Sequence, residues 1–357
     1  MNITFMIGNG FDINCGIRTR YTDMYPDYID AKTDNPIIQK FKNDLKQDYM
    51  KGFETWNDFE MGMAEYSNNF TNEAEFIACI RDFKNFMTGF LIKEQSAFRK
   101  RIENNDALQI DLFHEVGRSL STFYKNGVVN NTINTIEAIM PERNLINYNF
   151  ISFNYTTEIA NSLIQNSSSY VHIAKGNSCR NLGVMNIHGN LGRDVVLGVD
   201  NETQFKNLQF QMSSRGKRAF IKPFFNDEFD RQRVQRARAI INNSDVICVY
   251  GMSLGDSDLT WRNAIKNWLV SSQYNHLFYY SYSASSIPPC PFDELIDQEE
   301  DEKIKLLSRF EFENGLENPV SSQIHIPIGK NIFNIRETIF NYHMRQSKKT
   351  DSSKVLV

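Results

Sequence analysis

The first residues of the chain constrain its fold more than any other segment. The apolar run Asn2-Ile3-Thr4-Phe5-Met6-Ile7 predicts a β-strand, and Gly8-Asn9-Gly10-Phe11-Asp12 follows at once. A strand that ends in two closely spaced glycines is typical of the first turn of a nucleotide-binding α/β domain, because glycine lets the backbone approach a phosphate or a ribose. The turn departs from the dinucleotide fingerprint, since no third glycine lies three residues after Gly10. A turn with a purely structural role is therefore the alternative.

Composition and charge exclude several classes of protein. The chain has 357 residues and a net charge of -4, which is long enough for a sizeable core and disfavours general binding to nucleic acid. No run approaches about 18 consecutive apolar residues, so no membrane span is expected. The five cysteines are scattered and form no Cys-x-x-Cys pair, and the chain opens on a strand rather than a signal peptide. We expect a cytoplasmic protein without disulfides.

The order of predicted elements indicates an α/β fold, doubly wound around a mostly parallel, Rossmann-like sheet. Apolar residues recur at helical spacing between about residues 25 and 141, which predicts a large helical insertion after the first strand. We therefore divide the chain into an α/β domain (1–24 and 142–345), a helical insertion or cap (25–141) and a flexible tail (346–357). Further strands are predicted at 148–153, 170–173, 183–187, 195–199, 245–250 and 277–282. Further helices are predicted at 158–164, 227–242, 258–271, 293–307 and 331–344.

Polar or small residues follow four of these strands. Ligands of open α/β sheets bind beyond the carboxyl ends of the strands, so these residues would line one cleft if the strands are neighbours. The residues that we expect to line the cleft are Gly8, Asn9, Gly10, Phe11, Asp12, Ser152, Gly189, Gly251, Ser253, Leu254 and Asp256.

Asn154 and His188 are the candidate catalytic residues among the strand ends. His188 precedes a glycine and carries an imidazole that titrates near neutral pH, which suits a general base. The amide of Asn154 could orient a sugar hydroxyl, an amide or a water. A histidine that only caps a strand, and an asparagine that only closes a turn, are the structural alternatives.

Other polar residues have structural interpretations that compete with a role in the cleft. Asp58 is predicted to cap a helix, whereas Trp56 and Glu60 could face the cleft. Asp258 is expected to cap the next helix beside Asp256, and either could contact a ribose hydroxyl. No ligand spacing supports a metal site among the carboxylates, so none is expected. The arginines at positions 231, 233, 236 and 238 predict a solvated face of a helix, with binding of phosphate or nucleic acid as the minor alternative.

Five motifs together resemble the bacteriophage abortive-infection AbiH family. They are Gly8-Asn9-Gly10-Phe11-Asp12, Trp56-x-Asp58-Phe59-Glu60, Phe153-Asn154-Tyr155-Thr156, Ile187-His188-Gly189 and the segment from Tyr250 to Asp258. The resemblance runs from residue 1 to about Trp268. That family is in turn similar to a distant branch of the sirtuin-like NAD-binding domains. Departures from the sirtuin pattern are Asn9, Phe11 and the missing cysteine pairs of a zinc module, which disfavour protein deacylation.

The resemblance implies an antiphage protein with NAD as substrate or ligand, no tightly bound cofactor and a trigger derived from phage. Asn154 would orient the ribose or the attacking water, and His188 would act as a general base. Gly8, Gly10 and Asp12 would line the phosphates and ribose, with Ser253 near the adenosine. The function expected from it is hydrolysis of NAD to nicotinamide and ADP-ribose. A sensor or toxin partner that binds a nucleotide without turnover and a metal-dependent nuclease are the rivals, and homo-oligomerisation is left open.

Overall fold

The structure is a computed structural model that describes residues 1–52, 54–125, 130–140, 142, 144–172, 174–205, 212–281, 292–312, 320–329 and 331–354. Its six strands are β1 (Asn2–Ile7), β2 (Leu145–Ser152), β3 (Ser178–Asn186), β4 (Val246–Tyr250), β5 (His276–Tyr280) and β6 (Ile324–His325). Within these residues, the α-helices are α1 (Asn9–Asn14), α2 (Tyr21–Asp30), α3 (Pro36–Met50), α4 (Phe59–Tyr66), α5 (Glu73–Glu103), α6 (Asp106–Thr122), α7 (Asn130–Ile139), α8 (Thr157–Asn166), α9 (Ser214–Phe220), α10 (Lys222–Phe229), α11 (Arg231–Asn242), α12 (Leu259–Ser271), α13 (Phe292–Phe310) and α14 (Ile335–Lys354).

The strands form one parallel sheet in the order β3-β2-β1-β4-β5-β6. This is the strand order of dinucleotide-binding folds, and it confirms the predicted Rossmann-like α/β class. The chain leaves β1 toward β2 and β3, and then returns to place β4 on the other side of β1. The carboxyl ends of β1 and β4 therefore mark the topological switch point, where such sheets bind their ligands.

Helices cover both faces of the sheet, as a doubly wound fold requires. One apolar core joins β1 to α6, α8 and α14, and a second joins the opposite face to α11, α12 and α13. The central strands are buried on both sides, which explains the nearly continuous apolar sequence of β1 and β4. Among the described helices, none is long and apolar enough to cross a membrane.

The region between β1 and β2 is helical in its described part, and it serves two cores. Helices α2, α3 and α4 pack with the first half of α5 around a separate aromatic core that includes Phe59 and Phe83. The second half of α5, from Phe98 onward, packs with α6 against the sheet. At 31 residues and roughly 46 Å, α5 is long enough to join the two cores.

Four predicted elements differ from the structure. Residues 195–199 form no strand, and only Val199 makes an isolated bridge, to Ile221. Tyr170 ends a 3-10 turn where a strand was expected, and Ile173 and Tyr282 lie outside the described residues. The helix predicted at 227–242 is two helices, because the backbone of Asp230 is not helical and separates α10 from α11. Helix α14 continues to Lys354, where a frayed tail was expected from Gln346.

Glycines allow the turns after β1 and β4 to touch at the switch point. Gly8 N donates to Tyr250 O at 2.9 Å, and Gly10 N donates to Gly251 O at 2.8 Å. A Cβ on Gly251 would lie 2.6 Å from Gly10 Cα, and Gly251 has a φ of +71°. The first-turn glycines thus admit a neighbouring backbone, which is the structural alternative that the sequence left open.

This contact predicts that Gly251→Ala destabilises the protein more than a substitution at a roomy glycine. We expect a loss of about 3 kcal/mol or more, because the new methyl group meets backbone atoms and the φ angle is strained. Gly192 has a φ of +80° and no atom within 4 Å of a Cβ, so Gly192→Ala should lose only about 1 kcal/mol. Chemical denaturation of both variants measures the difference, and equal losses would show that the contact contributes nothing.

Candidate functional site

A cavity of about 930 Å³ lies at the carboxyl ends of the central strands. Residues after β1, β2, β3, β4 and β5 line it, and helix α4 and the start of α10 close one side. We call this space the switch-point cavity. Its volume is at the upper end of the range typical of ligand pockets.

Asp12 and Asn154 form a polar wall of the switch-point cavity. Asp12 is buried at the start of α1, and its Oδ2 accepts a hydrogen bond from the Thr156 hydroxyl. Burial raises the pKa of Asp12 to about 7, against the opposing effects of Thr156 and the nearby Asn154 amide. Within the described residues, Asp12 Oδ1 and Asn154 Nδ2 have no hydrogen-bond partner of good geometry. Buried groups of this kind are normally paired, so these two atoms are available to a ligand.

His188 contributes a third unpaired atom to the same cavity. The ring lies between Phe153 and Tyr155, with centroid distances of 5.6 and 5.7 Å. Burial, with the charge of Lys222, holds the pKa of His188 well below its usual range, although a hydrogen bond to the Phe153 backbone opposes this. In the described structure His188 Nε2 has no partner. A neutral ring whose proton is on Nδ1 would present Nε2 as an acceptor.

A buried ion pair joins the helical region to the α/β domain on another side of the cavity. Lys222 Nζ lies 2.7 Å from Glu60 Oε2 and donates to Ser257 O at 3.0 Å. Only 4% of Lys222 and 5% of Glu60 are exposed. Gly198 N donates to the other Glu60 oxygen at 3.1 Å. Both charges thus have several partners, which a buried pair needs to offset desolvation.

Further carboxylates surround this lysine. Burial lowers the pKa of Lys222, but Glu60, Asp258 and Asp200 outweigh that effect and raise it above its ordinary value. Burial raises the pKa of Glu60 to about 8 and of Asp258 to about 6, with Lys222 opposing both. Lys222 is therefore a buried cation whose charge acts on several neighbouring acids at once, and we call it the lysine anchor.

The cavity brings together most of the residues predicted from the sequence. Those that line it are Gly8, Asn9, Gly10, Asp12, Asp58, Glu60, Asn154, His188, Gly251, Ser253 and Asp258. Asp58 also caps α4 as predicted, because its Oδ1 accepts from Glu60 N at 2.9 Å and Met61 N at 3.2 Å. Asp258 is the N-cap residue of α12, but its side chain makes no capping hydrogen bond. Asp200 Oδ2 accepts a hydrogen bond from Thr260 N instead.

Two aromatic residues that the sequence offers for the cleft lie off the described cavity wall, because they pack in apolar cores. Trp56, predicted to face the cleft, is buried among Phe41 and Phe59, and its indole nitrogen donates to Asp48. Phe11 packs edge-on against Phe333 beneath the sheet end.

Four other predicted residues also lie off the described cavity wall. Ser152 is fully buried and accepts from Asn154 N, so it positions that residue from behind. Gly189 packs against the backbone of Asp194, and Leu254 belongs to an apolar core. Asp256 is turned toward Arg262, 3.1 Å away.

Several residues that line the cavity have no role that sequence patterns predict. They are Thr156, which bonds Asp12, Lys222, which bonds Glu60, and Arg20, Arg309 and Arg336. Thr156 belongs to the motif Phe153-Asn154-Tyr155-Thr156, and Lys222 belongs to none of the five motifs. The partners of these two residues lie 162 and 144 positions away, so no local spacing reveals them.

The basic helix α11 is largely the solvated face expected from its spacing. Arg231, Arg236 and Arg238 are exposed, whereas Arg233 is mostly buried and pairs with Asp194 and Asp230. Across the described residues, no group of three or more His, Cys, Asp or Glu side chains could hold a metal ion.

The lysine anchor predicts a pH-dependent stability defect in Lys222→Met. Removing the charge leaves Glu60 and Asp258 buried without their cation, which should lower the free energy of unfolding by about 3 to 5 kcal/mol. The pKa values of Glu60 and Asp258 are already raised in the folded parent protein, so its stability falls as pH rises from about 4 toward those values. Without the charge of Lys222, which opposes this rise, both pKa values increase further and the variant loses more stability at high pH. The deficit should therefore be larger at pH 8 than at pH 5.

Chemical denaturation at both pH values measures this effect, and Lys217→Met is the control. Lys217 forms a partly exposed pair with Glu202, so its loss should change stability by less than about 1 kcal/mol. A deficit in Lys222→Met that is independent of pH would contradict the electrostatic explanation.

Comparison with known proteins agrees with the site motifs. The family model for bacteriophage abortive infection AbiH matches residues 4–280, which includes every strand end that lines the cavity. A search among curated proteins finds no match. The family's role is abortive infection, which defends bacteria against phage. The chain therefore belongs to the bacteriophage abortive infection AbiH family.

Proposed function

We propose that this antiphage protein hydrolyses NAD to nicotinamide and ADP-ribose in the switch-point cavity. One observation carries the proposal: Asp12 Oδ1, Asn154 Nδ2 and His188 Nε2 are buried, have no hydrogen bond of good geometry within the described structure, and belong to residues that line the same cavity. An acceptor with a titratable proton, an amide donor and a neutral imidazole acceptor suit a ribose and an attacking water.

The pKa values divide the roles among these groups. Asp12, with a pKa near 7, is partly ionised at neutral pH and can accept a proton. His188 has a pKa too low for an efficient base at neutral pH, so we assign it to accept a hydrogen bond from a ribose hydroxyl. Asn154 would then donate to the ribose or to the water. This division moves the role of base from His188 to Asp12.

The reaction follows from these roles. Water attacks the anomeric carbon of the ribose while the carbon–nitrogen bond to nicotinamide breaks. The electron pair of that bond neutralises the pyridinium nitrogen, and the proton of the water passes to Asp12. An ionised Asp12 also stabilises the positive charge that develops on the sugar, and the low dielectric of a buried site strengthens this effect.

Substitution of the polar wall tests the assignment. Incubation of the purified chain with NAD, with and without extract from infected cells as activator, should yield nicotinamide measured by chromatography. Asn154→Ala, His188→Ala and Asp12→Asn should each lower turnover by about 100-fold or more. His343→Ala, at an exposed histidine of α14, is the matched control and should keep full activity.

Two outcomes would refute the proposal. Full turnover in all three wall variants would show that the chemistry lies elsewhere. Recovery of unchanged nucleotide, with no nicotinamide under either condition, would favour a sensor that binds without cleaving.

The pH profile tests which residue is the base. If ionised Asp12 accepts the proton, kcat/KM should rise with pH and level off above about 7. His188 should add no inflection near neutrality, because its ring stays neutral there. A profile with its inflection well below pH 6 would exclude Asp12 as the base.

The thermal stability of Asp12→Asn shows whether it loses activity because the base is missing or because the protein misfolds. A buried acid with a raised pKa loses folding stability as pH rises from about 4 to about 7, so Asp12→Asn should be no less stable than the parent at pH 8. Thermal unfolding of both proteins at pH 8 provides the measurement.

A further inference from the structure

The first turn has little hydrogen-bonding capacity left for a ligand phosphate. Gly8 N and Gly10 N are bonded to Tyr250 O and Gly251 O, and Phe11 N is bonded to Gly8 O at 2.9 Å. Helix α1 has only six residues, so it offers no extended N-terminal field. Three backbone donors of the turn that could cradle a phosphate are therefore already committed, two of them to the contact between β1 and β4.

Three arginines line the switch-point cavity outside this turn. Arg309 belongs to α13, Arg336 to the first turn of α14, and Arg20 precedes α2. All three are exposed, and in the part of the chain that the structure describes none pairs with a carboxylate. Arg309 Nη1 donates to Ser253 O at 2.8 Å, and its side chain also hydrogen-bonds Tyr279, which fixes it over the end of β4. A guanidinium has more donors than these two bonds use, so it can still bind an anion.

The neighbouring acid, Glu302, feels the charge of Arg309 but forms its ion pair with Lys305. Glu302 also lines the cavity, but it bonds Lys305 at 2.8 Å and the Ser281 hydroxyl at 3.0 Å. The cavity is therefore polarised. The buried side chains of Asp12 and Glu60 form one part of the wall, and Arg309, without a carboxylate partner in the described structure, lies over the end of β4.

We propose that Arg309 and Arg336, with Arg20, bind the phosphate groups of the nucleotide in place of the first turn. Guanidinium groups recognise phosphate oxygens through two parallel hydrogen bonds, and exposed arginines at a cavity mouth can also attract an anion from solution. The inference rests on the proposed function only in identifying the anion as part of a nucleotide. Arg309 and Arg336 lie outside the residues that match the family model, whereas Arg20 lies within them, so two of the three arginines come from the C-terminal part of the chain.

The spacing of the sheet agrees with one ligand that reaches both regions. Asn154 follows β2, and Ser253, which anchors Arg309, follows β4, two positions away in the sheet. At about 4.8 Å for each step, the strand ends are roughly 10 Å apart. The long side chain of Arg309 can shorten this distance to a phosphate joined to a ribose at Asn154.

Binding of inorganic pyrophosphate to the full chain tests the subsite without requiring turnover. Calorimetric titration should show binding to the parent that weakens with added salt. Arg309→Gln with Arg336→Gln should raise the Kd about tenfold or more. Arg215→Gln removes an exposed arginine of α9 that does not line the described cavity, so it should change the Kd by less than about twofold.

The results separate the subsite from the catalytic proposal. Failure of the parent to bind pyrophosphate, or equal binding by the parent and the double variant, would overturn the arginine subsite. Loss of pyrophosphate binding in the double variant supports the subsite even if the parent cleaves no NAD. If NAD is cleaved, the double variant should raise KM about tenfold with kcat nearly unchanged, and an unchanged KM would also overturn it.

Discussion

The contact between the turns after β1 and β4 is the constraint on which the rest of the site depends. Gly10 and Gly251 meet backbone to backbone at the switch point, and the amides of Gly8 and Gly10 are bonded to the second turn. This contact fixes the end of β1, and with it the start of α1, from which Asp12 projects beside Thr156. The close packing also keeps Asp12 away from water, and burial is the main cause of its raised pKa. The glycine turn therefore sets the chemistry of a side chain two residues beyond it, while its own amides are occupied.

The sequence was sufficient for the fold class and for most of the cavity wall. Apolar strands followed by polar residues predicted an open sheet with a cleft beyond its strand ends, and the structure places Asp12, Asn154, His188 and Gly251 around one cavity. This inference succeeds because strand order need not be known: parallel strands bring all their carboxyl ends to one edge. The predictions failed where a residue type has two uses. Trp56 could serve as a stacking surface or as core, and the aromatic cluster with Phe41 and Phe59 claimed it.

Long-range partners are what the sequence could not supply. Nothing near Glu60 indicates that Lys222 will neutralise it, and nothing near the α12 cap indicates that Asp200 rather than Asp258 will accept from Thr260. Such pairs depend on how the helical region sits on the α/β domain, which periodicity does not encode. Residues 195–199 show the same limit: their apolar sequence predicts a strand, but Val195, Leu197 and Val199 pack into the aromatic core of the helical region instead. The local pattern of apolar residues predicted that residues 195–199 would be buried. Tertiary packing determined that they would contact the helical region rather than form a strand.

The distribution of charge around the cavity links the buried anchor to the proposed chemistry. Lys222 is buried among acids, so its charge is balanced locally, yet it still contributes to keeping His188 neutral. Asp12 has no cation among its main influences; burial acts on it against two neutral hydrogen-bonding neighbours, which leaves it partly protonated near neutrality. The Asp12 carboxylate would therefore stabilise positive charge that develops on a ligand beside it. The anionic part of the ligand would be attracted to Arg309 and Arg336. This separation of charges would hold a bound nucleotide in one orientation. Its sugar, rather than its phosphates, would then lie beside Asp12, which can accept a proton.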